Sequence, residues 1–168
     1  PADVVVVGVG VSPATEWLDD SPIALRDGIV CDATLYTGVP GVYAAGDCVR
    51  WPNLVFEGHD DCEMRVEHWT NAAEQGALVA TNLRRLATGE PFEPYEPLPF
   101  FWSDQYDRKV QLAGRTHPDA EVRVVAGSVA EHRFVAYYGL GGRFLGVLGV
   151  NRPRQVMQSK GLLEQDAS

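Results

Sequence analysis

Two short segments hold the side chains and backbone groups best suited to holding a ligand. Gly46-Asp47 closes the run Gly41-Val42-Tyr43-Ala44-Ala45, and about twenty residues later comes Val66-Glu67-His68-Trp69-Thr70-Asn71-Ala72. Gly46 removes a side chain so that backbone can approach a ligand, and Asp47 offers two acceptor oxygens to a hydroxyl group. A helix opening at Thr70 or Asn71 would present unpaired amides and a positive dipole end, which favour negative charge nearby. Taken singly, each has a plainer explanation. Asp47 suits a turn, and Glu74 three residues after Asn71 suits a capping box. Trp69, Phe100, Phe101, Trp102 and Tyr106 supply flat rings that can either fill a core or cover a planar ligand.

Other chemistries find little support. His59, His68, His117 and His132 have no metal-ligand spacing, and His59-Asp60-Asp61 looks like an acidic surface loop. The cysteines, Cys31, Cys48 and Cys62, form no Cys-x-x-Cys pair, so a redox disulfide or zinc site is not expected. Reduced thiols suit a cytoplasmic compartment. A net charge of -9 with fourteen scattered Lys and Arg argues against a nucleic-acid surface. No apolar run reaches the roughly 18 residues of a membrane span. Gly8-x-Gly10 lacks the third glycine and following helix of a dinucleotide fingerprint.

The elements that position these groups follow from periodicity. Val4 to Val9 is a β-branched run expected as a strand covered on both faces. Thr15 to Leu18 suits one helical turn, and Gly28 to Asp32, Ala33 to Thr37 and Val42 to Ala45 suit short strands. From Thr70, small residues at Ala73, Gly76 or Ala77, Ala80, Leu83 and Ala87 predict a helix packed through an Ala/Gly face, ending at Gly89 before Pro91. Four prolines between Pro91 and Pro99 mark a semi-rigid connector. Beyond it, strands are expected over Phe100 to Tyr106, Lys109 to Ala113, Glu121 to Gly127, Arg133 to Tyr138 and Phe144 to Val150. A helix over Pro153 to Leu163 follows. The expected architecture is α/β plus α+β, with domains at 1–95 and 96–168.

Order and spacing together resemble one family. Ala2-Asp3-Val4 to Gly10-Val11-Ser12-Pro13, Gly28-Ile29-Val30 and Gly41 to Cys48 resemble FAD-dependent pyridine-nucleotide oxidoreductases. Val66 to Ala72 with Glu74-Gln75, Phe101-Trp102-Ser103-Asp104-Gln105-Tyr106, and Val150-Asn151-Arg152-Pro153-Arg154 are similar to ferredoxin (rubredoxin, putidaredoxin) reductases that serve oxygenases.

The resemblance implies a partial Rossmann-like FAD/NAD(P)-binding segment followed by a C-terminal reductase domain. It also implies NAD(P)H as hydride donor, FAD as cofactor and an iron–sulfur ferredoxin as electron acceptor. Asp47, beside Gly46, would hold a ribityl hydroxyl of FAD. Trp69, Thr70 and Asn71 would lie at the flavin's pyrimidine edge, Trp102 against its ring system, and Arg65 would contact the acidic ferredoxin. No residue is assigned a covalent catalytic role, because the chemistry is the cofactor's.

The two Gly-x-Gly-x-x-Gly turns of such reductases are missing from this sequence, and it starts at Pro1 without Met. The expectation is therefore a C-terminal portion of a longer reductase, which by itself is inactive and free of FAD. Nitrite reductase is the alternative acceptor for the parent protein. A non-catalytic association module, forming a homodimer or swapped oligomer, is the alternative function.

Overall fold

The computed structural model describes residues 1–57 and 62–166, so the His59-Asp60-Asp61 loop lies outside the described residues. Two sheets and two long helices organise the chain. The first sheet is small, in the order β1 (Ile29–Val30), β2 (Val49–Pro52), β3 (Glu63–Met64). β1 pairs with β2 in parallel and β2 with β3 antiparallel. Around it, Leu18, Ile29, Cys31, Leu35, Val49, Trp51, Val66 and Tyr95 form one core. Helix α1 (Trp69–Thr88) runs beside this core and stops at Gly89, whose φ of 73° is the left-handed conformation that glycine adopts without strain.

The second unit is a five-stranded antiparallel sheet in the order β4 (Phe100–Gln105), β5 (Arg108–Gly114), β8 (Arg143–Val150), β7 (Arg133–Leu140), β6 (Glu121–Ser128). Helix α2 (Pro153–Asp166) covers one face. It does so through Val156 and Leu163, which join Ala113, Val135 and Val147 in a second core. The helix sits close because Gly149 carries no Cβ: one built there would lie 2.2 Å from Val156 Cγ2. All five strands and the helix of this unit fall within a few residues of their expected bounds.

Three expectations in the first unit are corrected. Val4 to Val9 is not a strand, and Val4, Val6 and Val9 are 78%, 90% and 89% exposed. A run suited to burial on both faces needs neighbours, and no described strand pairs with it. Val42 to Ala45 and Ala33 to Thr37 contribute only the isolated bridge between Tyr36 and Tyr43 rather than two strands.

Helix α1 forms as expected but with another face inward. Ala73, Gly76, Ala77, Ala80, Leu83 and Ala87 are exposed, whereas Asn71, Gln75 and Asn82 are buried. The buried amides are chosen by backbone polar groups that need partners, not by hydrophobicity.

The proline-rich connector shows why. It is strapped onto the first unit: Tyr95 N–H donates to Ala33 O at 2.7 Å, and Trp51 Nε1–H donates to Tyr95 O at 3.2 Å. Asn82 Nδ2 donates to Glu93 O and Thr34 O at 2.9 and 3.2 Å, while Glu93 N–H donates to Asn82 Oδ1 at 2.9 Å. Asn53 Nδ2 reaches Pro97 O at 2.9 Å. Replacing Asn82 by Ala removes three of these bonds and leaves the part-buried backbone groups of Glu93 and Thr34 without this partner. We expect a loss of about 2–4 kcal/mol in urea unfolding; a loss below about 0.5 kcal/mol would show that the strap does not depend on Asn82.

Candidate functional site

The site is assembled where the turn before β2 meets the start of α1. Gly46 has φ 97°, and its N–H donates to the buried Gln75 Oε1 at 2.7 Å. A Cβ built on Gly46 would lie 3.8 Å from Ala72 Cβ, so this turn rests on the first turns of α1. Asp47, the next residue, is exposed, and no described side chain caps it. Its backbone carbonyl accepts from Arg65 Nη1 at 3.2 Å, which fixes the turn from the other side.

Helix α1 begins one residue before the expected cap. His68 is the N-cap, and no side chain caps this end. The amides of the first turn therefore have neither an intrahelical nor a side-chain acceptor. Asn71 does not cap, because its Nδ2 turns inward to Val66 O at 3.1 Å. Glu74 does not complete a capping box either; its Oε2 accepts from the Tyr95 hydroxyl at 3.2 Å. Tyr95 also lies 3.2 Å from Asn71 Oδ1, so the strap and the helix start are one hydrogen-bonded unit. Burial and the Glu74 carboxylate both raise the Tyr95 pKa, so the phenol remains protonated and donates.

Aromatic rings line the region. Trp69 is 78% exposed in the first helical turn, and Trp102 is 43% exposed on β4. The His68 and Phe101 rings lie 5.2 Å apart. A cleft of about 640 Å³ opens beside them, with Arg65, Glu67, His68, Phe101 and Arg115 in its wall. Phe100 and Trp102, on the opposite face of β4, have centroids 6.1 Å apart.

Arg65 sits differently from a free surface cation. Its side chain is only 12% exposed, pairs with Glu67, and reaches Asp27 at 3.4 Å. Arg50 bridges Asp27 and Glu63, and Arg26 also pairs with Glu63, so Arg65 links Asp27 to Glu67 at one end of a chain of alternating charges. These carboxylates raise its pKa against the opposing effect of desolvation.

The structure thus brings Gly46, Asp47, Trp69, Thr70 and Asn71 together at one helix start. Trp102 stands on the adjoining strand, and Arg65 is built into the wall. Of Asn71, only the backbone faces outward chemistry. Gln75, His68 and Tyr95 carry the scaffold; the first two lie within the motif that resembles the reductases but are given no role by it, and Tyr95 is not singled out in the sequence. Their signal is the buried amide, ring nitrogen or hydroxyl, visible only once the chain is folded. In chemical terms the arrangement offers acceptor oxygens to a polyol and amide donors to an anionic edge. Among the described residues, no cluster of His, Cys, Asp or Glu could hold a metal ion. No helix among them is long and apolar enough to cross a membrane.

Two family models match different parts of the chain. Residues 1–76 match the pyridine nucleotide-disulphide oxidoreductase family, and residues 100–168 match the reductase C-terminal family. Among the chain's relatives are several ferredoxin reductases. It is 38% identical over 162 residues to rhodocoxin reductase of Rhodococcus erythropolis, covering 96% of this chain and 36% of the relative. The ferredoxin reductase for the CYP199A2 system of Rhodopseudomonas palustris superposes with a TM-score of 0.82 at 36% identity, covering 98% of this chain and 39% of that one. The reductase in the covalent putidaredoxin reductase–putidaredoxin complex superposes with a TM-score of 0.81 at 32% identity, covering 97% and 37%. The chain therefore spans less than two-fifths of the length of these proteins.

His68 offers a direct check on this geometry. Burial lowers its pKa, and the Asp47 and Glu67 carboxylates oppose that effect only in part. Because the folded value lies below the ordinary 6.5, the unfolded chain binds the proton more readily. The contribution to stability is thus complete above about pH 6.5 and is lost as pH falls through the folded value. An NMR titration should give His68 a pKa below 6.5; a value at or above it would mean that the ring is not packed as described.

Proposed function

We propose that this chain forms the flavin-facing half of an FAD-dependent NAD(P)H:ferredoxin reductase. The parent protein transfers a hydride from NAD(P)H to FAD and then single electrons to an iron–sulfur ferredoxin serving an oxygenase. The observation that carries the reading is the uncapped start of α1 set against the Gly46-Asp47 turn.

The residues present fit one part of FAD. The exposed Asp47 carboxylate suits a ribityl hydroxyl, and the first-turn amides at Trp69, Thr70 and Asn71 suit the pyrimidine edge. Trp69 and Trp102, both exposed, supply the flat apolar surface that a flavin would cover. Bound there, FAD supplies the conversion between two-electron and one-electron chemistry. The chain's own residues bind and orient it, and the helix end favours negative charge at the edge it faces.

Arg65, read as a ferredoxin contact, would act through the carboxylates that it already pairs with. In our proposal its main work is to hold the Asp47 carbonyl and the Gly46 turn in place. We divide the parent's domains at the strap, with 1–95 on the FAD side and 96–168 as the reductase C-terminal domain. We place the protein in the cytoplasm, where its three cysteines, free in the structure, would stay reduced.

The test uses the full-length reductase. Asp47→Ala should lower the flavin retained after gel filtration by about tenfold, the size expected from losing a charge-assisted bond. Unchanged flavin content would remove Asp47 from the site.

A second reading has its own observation. Val4 to Val11 leaves a run of exposed valines, and such surface promotes pairing between chains. The isolated chain would then be an association module without FAD, inactive and held as a homodimer or swapped oligomer. Light scattering should report a mass of twice the 18.4 kDa chain or more; a monodisperse monomer would rule this out.

A further inference from the structure

The cations of this acidic chain are distributed unevenly. Every arginine of the first unit, Arg26, Arg50, Arg65, Arg84 and Arg85, has a carboxylate partner. In the second unit Arg108, Lys109 and Lys160 are paired as well. Among the described residues, Arg123, Arg133, Arg143, Arg152 and Arg154 have no carboxylate within 4.0 Å, and three of these, Arg133, Arg152 and Arg154, line one pocket of about 510 Å³. Gln155 and Gln158 complete its polar wall, and no Asp or Glu lines it. In a chain of net charge -9, three arginines that share one pocket without an ion-paired carboxylate leave a local excess of positive charge.

The pocket is held in shape. Asn151, at φ 54°, sits at the junction of β8 and α2 in the left-handed conformation that asparagine tolerates. Its side chain accepts from Lys109 N–H at 2.9 Å and donates to Asp107 O at 3.2 Å and His132 O at 3.4 Å. That clamp joins the β4–β5 turn, the start of β7 and the end of β8, and it fixes the backbone on either side of Arg133 and Arg152. Arg152 Nη1 donates to Gln155 Oε1 at 3.4 Å, while its Nε is buried without a protein acceptor. The first turn of α2 contains no acidic residue, so the positive helix end adds to the same field.

We propose that the Arg133/Arg152/Arg154 pocket is a binding site for a phosphoryl oxyanion. Guanidinium forks match the geometry of phosphate oxygens, and the neutral glutamine amides add donors without adding charge. The volume lies within the range of small-molecule sites and exceeds that of a bare phosphate, leaving room for the rest of a nucleotide. A concave wall of converging donors favours a compact anion over the spread charges of an acidic protein. The site lies apart from the α1 start and does not depend on the flavin reading.

The test is calorimetric titration of the protein in a phosphate-free, low-salt buffer with two probes, inorganic phosphate and AMP. Variants R133Q and R154Q, and the pair combined, change exposed residues; circular dichroism confirms that each remains folded. Saturable binding of either probe by the unaltered protein is expected, with affinity about tenfold or more weaker in the double variant. Preference for AMP assigns the site to nucleotides, and equal affinity assigns it to the phosphoryl group alone; both support the proposal. It is overturned by absence of binding up to about 10 mM of both probes. Equal affinity in the double variant also overturns it, as does binding of polyglutamate where neither probe binds.

Discussion

The placement of every other feature depends on the strap between Glu93 and Pro97. The connector gives up its backbone groups to Asn82, Asn53, Trp51 and Ala33, and Tyr95 inserts its ring into the first core. Because these partners are buried, each bond is worth more kept than its modest net energy suggests: losing it would strand a desolvated group. The consequence is positional. β4 begins immediately after the strap, so Phe101 meets His68 at the start of α1 while Trp102 stands on the other face of the same strand. An interface between two domains is often loose. Here covalent continuity and a buried polar network make it part of the first core.

Local patterns in the sequence were enough for the second unit and insufficient for the first. The five strands and α2 could be read because antiparallel neighbours joined by short turns carry their own alternation and turn residues. The valine run and the short stretches around Tyr36 and Tyr43 could not. A strand in a parallel sheet is defined by partners distant in sequence, and among the described residues no strand pairs with the valine run, while Tyr36 and Tyr43 meet only in one isolated antiparallel bridge. For α1 the ends were legible and the phase was not. Hydrophobic spacing pointed to the Ala/Gly face, whereas Asn71, Gln75 and Asn82 went inside to serve backbone groups of other segments. Amide side chains carry no apolar periodicity, so a reading built on it must miss them.

The candidate site divides in the same way. Gly46-Asp47 and the residues around Trp69 were visible as a turn and a helix start, and their recurrence in one family gave them meaning. That Asn71 and Glu74 turn away from the helix end was not visible, because both are claimed by groups remote in sequence, Val66 O and the Tyr95 hydroxyl. Their withdrawal leaves the helix end open. A capped helix would have satisfied its own amides; this one leaves them for something else to satisfy.

The four tryptophans give the molecule a built-in optical readout. Trp51 is fully enclosed and donates its Nε1–H to Tyr95 O, whereas Trp17 and Trp69 are each 78% exposed and Trp102 is 43% exposed. Emission from the enclosed indole reports whether the strap is seated, and emission from Trp69 and Trp102 reports what covers the α1 start. A planar acceptor lodged there would quench Trp69, in the first turn of that helix, most strongly. Binding and unfolding would therefore have different colours in one spectrum, with no label added.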